Sequence, residues 1–196
     1  MFRRRALVFF AAAALLAGCE RPSPAGTGFQ AIDITGADYG QQLSLPDIGG
    51  RQRTLADFKG QAVVVFFGFT HCPDVCPTTM AELAAVKKAL GEDGKRLQAV
   101  FVTVDPERDT PELLKAYMAN FDPSFIALRG TVEQTQALAK SFKAYFQKVP
   151  GKEPGSYSVD HTAGAYVFDP QGRLRLFVRY GQPVEAWVAD LKRLLA

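Results

Sequence analysis

The stretch Ala62-Val63-Val64-Val65-Phe66-Phe67-Gly68-Phe69-Thr70-His71-Cys72-Pro73-Asp74-Val75-Cys76-Pro77 changes character halfway along. Its opening residues are apolar without a break and rich in β-branched and aromatic side chains, the composition of a strand covered on both faces. Such a strand belongs inside an α/β sheet. Pro77 marks a change to helix, because proline is tolerated in a first helical turn but further in would clash with the turn before it. The helix is expected to begin between Asp74 and Pro77, to bury Met80, Leu83, Val86 and Leu90, and to end near Gly91. Cys76 falls at the positive end of that helix, where free amides and the macrodipole favour a thiolate, and Cys72 falls in the loop before it.

Downstream, Leu97 to Val104 reads as a second buried strand, so the order strand, helix, strand predicts a right-handed crossover and parallel pairing. Asp109 or Thr110 is expected to cap the next helix, with Pro111 and Glu112 in its first turn and Leu113, Leu114 and Tyr117 along it. Phe125 to Leu128 suits a short strand. Thr131 and Gln134 resemble a capping box, opening a helix whose stripe Leu138, Phe142, Tyr145 and Phe146 reads as core. Gln147 to Tyr157 contains prolines and glycines without a period and reads as a loop leading to Asp160-His161. Gly164 to Phe168 and Leu174 to Tyr180, joined at Asp169-Pro170-Gln171-Gly172, predict an antiparallel hairpin. Pro183 then starts a helix with Val184, Trp187, Val188, Leu191 and Leu195 on one face. The fold class is α/β and thioredoxin-like: a central mixed β-sheet flanked by helices, with a C-terminal β-hairpin and helix.

Upstream, Arg3-Arg4-Arg5 precedes a run of apolar residues from Ala6 to Ala17, too short to span a bilayer as a helix, which is the pattern of a signal peptide. The run ends in Leu16-Ala17-Gly18-Cys19, which resembles the lipobox of bacterial lipoproteins, where cleavage precedes the cysteine and its thiol carries a diacylglycerol. Residues 1–18 are thus expected to be a lipoprotein signal peptide and Cys19 the lipidated residue. Residues 19–39, rich in Pro, Gly, Ser and Ala, are expected to be a flexible tether, and residues 40–196 the folded domain. The body would then sit, lipid-anchored, at the extracytoplasmic (periplasmic) face of a bacterial membrane. A length of 196 residues, 47% of them hydrophobic, suits one domain with one core. The formal charge of +3 is matched by the three leader arginines, and no cluster of basic and aromatic residues remains to bind phosphates, which argues against a nucleic-acid partner.

Of the 3 cysteines, only Cys72 and Cys76 are left for the domain, and a domain of this size needs no disulfide framework, so their proximity points to chemistry. They stand where a strand gives way to a helix, the end at which open α/β sheets place their sites. Three intervening residues allow two sulfurs to splay towards one soft ion and still permit a disulfide. Soft-metal ligation, a redox disulfide and a structural disulfide all remain open on spacing alone. Two thiolates suit Cu(I); an added imidazole would accommodate Cu(II), whereas zinc would usually want a fourth protein ligand. The chain has 2 histidines. His71 adjoins Cys72, so its ring is expected to point away from a site that Cys72 faces. His161 precedes a strand at the place where thioredoxin-like folds normally set a cis-proline against the cysteines, which makes it the better candidate. Asp160 is a candidate to orient His161, Asp74 to cap the helix or support the site, and Asp105 to line it or form the turn before Pro106.

Three strings together, Phe69 to Pro77, Thr103-Val104-Asp105-Pro106-Glu107-Arg108-Asp109-Thr110-Pro111 and Val159-Asp160-His161-Thr162, resemble those of the SCO/SenC family, in the expected order and within a match from about Leu43 to Leu195. The resemblance implies a thioredoxin-like domain that binds copper through Cys72, Cys76 and His161. It further implies a metallochaperone that takes copper from a donor protein and helps assemble the CuA site in subunit II of cytochrome c oxidase. Family members also vary in purpose, and a thiol:disulfide oxidoreductase acting on the cysteines of the copper acceptor, or a general role in periplasmic copper and redox homeostasis, are the alternatives.

Overall fold

The computed structural model describes residues 28–196. The expected signal peptide, Cys19 and the first part of the expected tether lie outside the described residues. In chain order the elements are β1 (Ile32–Asp33), β2 (Ser44–Pro46), β3 (Gln52–Thr54), β4 (Ala62–Gly68), α1 (Val75–Ala89), β5 (Leu97–Thr103), α2 (Pro111–Met118), β6 (Ile126–Leu128), α3 (Val132–Ser141), β7 (Phe146–Pro150), β8 (Tyr157–His161), β9 (Gly164–Phe168), β10 (Leu174–Arg179) and α4 (Val184–Leu195).

All residues of β4 are buried, because it is the inner strand of a six-stranded sheet ordered β1-β10-β9-β4-β5-β6. It runs parallel to β5 and antiparallel to β9, and β5 runs parallel to β6, which is the mixed sheet expected. Successive side chains on β4 point to opposite faces. Phe67 meets Phe142 at 5.3 Å and Tyr166 at 6.1 Å between ring centroids, while Phe66 meets Phe101 at 6.2 Å. Helix α1 packs against α4. The β4-α1-β5 crossover puts the end of β4 and the start of α1 at one pole of the sheet, and β9 begins at that same pole because Ala165 pairs with Phe66.

Three expectations about organisation change. Residues 147–157 are not a plain loop: β7 and β8 form a separate two-stranded hairpin, with Phe146 opposite His161 and Pro150 opposite Tyr157. Only Val159 is fully buried in these strands, so the hairpin is held largely by backbone pairing, and the single Tyr157–Val159 alternation is too short a period to read. The apolar stripe of α3 stops early, because the helix ends at Ser141 and Lys143 adopts a left-handed φ of 54°. Phe142 is fully buried at that end, but Tyr145 beyond the turn is 57% exposed. The segment from Gly28 to Tyr39, expected in the tether, docks on the domain. Ile32 and Asp33 pair with Phe177 and Leu176, and the amides of Gln30 and Ala31 donate to the two carboxylate oxygens of buried Asp190 at 2.7 and 2.8 Å. Its Asp190 contacts span 160 and 159 residues and its strand partners lie on β10, so no local pattern announces it.

Candidate metal centre

Beyond Gly68 the chain turns through Phe69, Thr70 and His71, with the Cys72 amide donating to the Phe69 carbonyl at 3.2 Å. Helix α1 starts at Val75 with Pro77 in its first turn, where no amide donor is needed. The first amides of a helix point back along its axis, into the loop that precedes it. Here they reach Cys72: the Cys76 amide lies 3.4 Å from Cys72 Sγ, and the Asp74 amide also donates to it. The helix end therefore favours a thiolate at Cys72, reversing the expectation for Cys76. The Cys72 thiol is held well below the ordinary range, first by the Cys76 side chain donating to it, then, against the opposing effect of burial, by those two amides and by His161. Cys76 is fully buried and its thiol is pushed up, by its hydrogen bond to Cys72, by burial and by the negative charges of Cys72 and Asp109. Both cysteines are free.

This asymmetry has a chemical readout. Because the thiolate is the nucleophile and the Cys72 pKa is lowered, iodoacetamide should label Cys72 in the reduced, metal-free protein at about pH 6 nearly as fast as at about pH 8, while Cys76 stays unlabelled. By the same sign, Cys72 contributes stability above the ordinary thiol range that is lost as pH falls through its lowered value. Mass spectrometry of the labelled peptides checks it; a rate that falls about a hundredfold between those pH values, as an ordinary thiol requires, would refute it.

His161 ends β8 and brings its ring over the cysteines, with Nε2 3.4 Å from Cys76 Sγ. Nδ1 lies 3.2 Å from the Thr162 carbonyl oxygen. That oxygen can only accept, so Nδ1 donates to it and Nε2 is the ring nitrogen turned to the sulfurs. Phe66 and Phe69 each set an edge-on ring 5.8 Å from the imidazole and fix its plane. The three donor atoms of Cys72, Cys76 and His161 lie within 4.8 Å of one another, close enough to share one ion. Two sulfurs and one imidazole suit copper in either oxidation state, and the half-buried Cys72 and His161 leave the site open to an incoming or departing ligand.

Gly68 makes room for this cluster. A Cβ there would lie 2.9 Å from each of Cys76 Sγ, Phe101 and Phe66, atoms that belong to the packed core and cannot swing aside. Gly68→Ala should cost about 1–3 kcal/mol by overpacking, read as a lower urea midpoint, and an unchanged midpoint would count against the contact.

Asp74 and Asp160 behave differently from expectation, whereas Asp105 opens the turn through Pro106 that was one of its two expected roles. Asp74 stands at the N-cap of α1 but makes no side-chain cap; its exposed carboxylate accepts from the Thr78 hydroxyl at 3.3 Å. Asp160 is exposed and alternates to the opposite face of β8 from His161, so the ring is oriented by the Thr162 carbonyl instead. Asp105 is fully buried, but its oxygens are taken by the Arg108 guanidinium and by the Tyr157 hydroxyl, the latter at 2.8 Å. His71 is exposed, with Nδ1 3.1 Å from the Thr70 hydroxyl, and lies outside the donor cluster as expected.

Asp109 is the residue that sequence reasoning missed. Thr110 caps α2, accepting from the Leu113 amide at 3.2 Å. Fully buried Asp109 instead accepts from the Thr70 hydroxyl at 2.6 Å, the Thr70 amide at 3.2 Å and the Thr103 hydroxyl at 2.5 Å. It ties the loop before Cys72 to the end of β5. The Asp next to a capping Thr looked like a cap because nothing local shows which way it turns.

A thioredoxin-type sheet with two thiols and an imidazole gathered at the end of its inner strand defines a thiol protein able to hold one soft metal ion. The chain belongs to the SCO1/SenC family, whose profile matches residues 33–196. It is 37% identical over 156 residues to the mitochondrial SCO2 homologue of Bos taurus, covering 79% of this chain and 59% of that protein, so it spans less than two thirds of the relative's length. Among solved structures, Bradyrhizobium japonicum ScoI with copper bound is 40% identical, covers 78% of this chain and 97% of its own, and superposes with a TM-score of 0.70. A SCO1/SenC family lipoprotein from Bacillus anthracis is 28% identical with a TM-score of 0.67, over 79% of this chain and 94% of its own.

Proposed function

We propose that this protein is a copper chaperone that holds one copper ion on Cys72, Cys76 and His161 and passes it to the CuA site of cytochrome c oxidase subunit II. The observation that carries the reading is the convergence of two sulfurs and Nε2 of His161 at an open pole of the fold. The copper found in ScoI, the family to which the chain belongs and the softness of the donor set support it. Cargo arriving from a donor protein meets the half-buried Cys72 thiolate first, then draws in Cys76, whose proton must leave, and His161. Departure runs in reverse, the acceptor's ligands replacing these one at a time. Oxidation to a Cys72–Cys76 disulfide removes both sulfurs and stops loading.

The setting we propose is the extracytoplasmic face of a bacterial membrane, with a lipid on Cys19 holding the domain there. The lipoprotein leader pattern and the Bacillus anthracis lipoprotein relative support this. No helix among the described residues is long and apolar enough to cross a membrane.

A second reading draws on the lowered pKa and partial exposure of Cys72: a thiol:disulfide oxidoreductase that reduces the cysteines of the copper acceptor, in oxidase assembly or in wider copper and redox homeostasis. One experiment separates the two. The reduced protein is titrated anaerobically with Cu(I) and Cu(II), followed by absorption and electron spin resonance; the copper-loaded form is then mixed with a metal-free, reduced CuA domain and, in a separate sample, the metal-free form with an oxidised one. The chaperone reading expects one copper per chain, loss of binding in Cys72→Ser, and appearance of the CuA spectrum. Copper that stays on the protein, combined with rapid reduction of an oxidised CuA domain, would overturn it in favour of the oxidoreductase.

A further inference from the structure

His161 rides on the β7–β8 hairpin, which is outside the main sheet and mostly exposed, yet its ring must meet two sulfurs held by α1. Something must set that distance, and the turn from Asp105 to Asp109 contacts both halves. The Arg108 and Asp109 amides both donate to the Asp105 carbonyl, at 3.2 and 2.9 Å, so their side chains leave one tight turn. Asp109 goes to the loop before Cys72, through Thr70.

Arg108 goes to the hairpin. Its guanidinium pairs with Asp105, donates from Nη1 to the Tyr157 carbonyl at 2.8 Å and stacks 3.6 Å from the Tyr157 ring centroid. The Tyr157 hydroxyl closes the circuit by donating to Asp105 at 2.8 Å. The same guanidinium lies 5.9 Å from the Phe69 ring, which packs edge-on against His161. Tyr157, Val159 and His161 alternate along β8 and therefore share a face, so a clasp on Tyr157 and the burial of Val159 aim the imidazole inward.

We propose that Arg108 is a positioning residue: with Asp105 and Tyr157 it clasps the hairpin to the metal end of the sheet and holds His161 in reach of Cys76. The geometric part stands on the metal-free protein; its consequence for copper rests on the proposed function. A stacked, doubly hydrogen-bonded guanidinium has no equivalent in lysine, whose ammonium is a point charge on a flexible stem. Loss of the clasp should therefore free the hairpin while the CxxxC loop, held separately by Asp109, stays in place.

The test compares Arg108→Lys, which keeps a cation beside buried Asp105, with Tyr157→Leu, which leaves the Arg108–Asp105 pair intact. In the metal-free protein, amide exchange across residues 157–161 and carbethoxylation of His161 by diethyl pyrocarbonate should each rise about tenfold in both variants, with Cys72 alkylation unchanged. In the copper-loaded protein, release to a chelator should rise by about the same factor and the Cu(II) spectrum should move towards that of His161→Ala. Exchange and His161 reactivity within about twofold of wild type in both variants would overturn the clasp. The metal-free readouts decide this point alone; the wild-type titration above decides the copper reading.

Discussion

His161→Ala should lower copper affinity by at least about a hundredfold, abolish the wild-type Cu(II) spectrum and leave the fold in place. The ring supplies the one nitrogen in a cluster otherwise made of two sulfurs, and it is pre-aimed: Nδ1 is engaged by the Thr162 carbonyl, Phe66 and Phe69 fix the ring plane, and Nε2 faces Cys76. A ligand already oriented in this way loses little freedom on binding, so its removal takes away nearly the whole of its contribution. The effect should be larger for Cu(II), which needs the imidazole, than for Cu(I), which two thiolates satisfy. Competition titrations against chelators of known affinity, alongside thermal melts of the metal-free form, measure both. Equal affinities of variant and wild type for Cu(II) would remove His161 from the ligand set.

Asp109→Ala should cost about 3–5 kcal/mol of folding stability, the largest effect expected of any single change near the site. The carboxylate is fully buried and accepts from the Thr70 amide, the Thr70 hydroxyl and the Thr103 hydroxyl. Alanine would take the acceptor away from all three, leaving the fully buried Thr103 hydroxyl and the half-buried Thr70 amide without it and a void where the carboxylate stood. Because Thr70 stands two residues before Cys72, the damage should reach the site as well: the loop that presents Cys72 to the amides of α1 would lose its far anchor, and copper affinity should fall with stability. Urea unfolding monitored at Trp187, itself buried on α4, gives the stability. A loss under about 1 kcal/mol would mean that the network is satisfied in some other way.

Asp109 and Asp105 also divide the labour of the string Asp105-Pro106-Glu107-Arg108-Asp109. One carboxylate braces the cysteine loop and the other, through Arg108 and Tyr157, the hairpin that carries the histidine. Neither touches the donor atoms. The string therefore matters to the site chiefly through spacing: it sets how far the imidazole stands from the sulfurs, while the sulfurs' protonation is governed first by one another and by the start of α1, the Asp109 charge adding to the rise at Cys76.

Much of the fold was legible because its signals are local. The unbroken apolar run of β4, the Pro77 helix start, the capping box at Thr131 and the turn at Asp169 each depend on neighbours within a few residues, and each element stands where the pattern put it. The cysteine pair was legible for the same reason, and His161 stood out because the chain has few histidines and this one sits ahead of a strand returning to the same pole. Where patterns failed, the deciding partner was distant. The β7–β8 hairpin has an exposed β7 arm without hydrophobic alternation and only Tyr157 and Val159 alternating in β8, too short a pattern to mark a strand, and the segment around Ile32 is pinned by β10 and Asp190.

What the sequence by itself determined, then, is the α/β scaffold, the junction that carries Cys72 and Cys76, and the candidate third donor. What only the tertiary structure decided is which sulfur carries the charge and which acidic side chains support the site. Helix amides point backward into the preceding loop, so the residue before the helix, Cys72, receives them, while the hydrogen bond to Cys72 and then burial suppress ionisation of Cys76 within it. A buried carboxylate is directed by the donors that surround it in space. Those of Asp109 and Asp105 come from Thr70, Thr103, Arg108 and Tyr157, on separate parts of the chain that folding alone brings together.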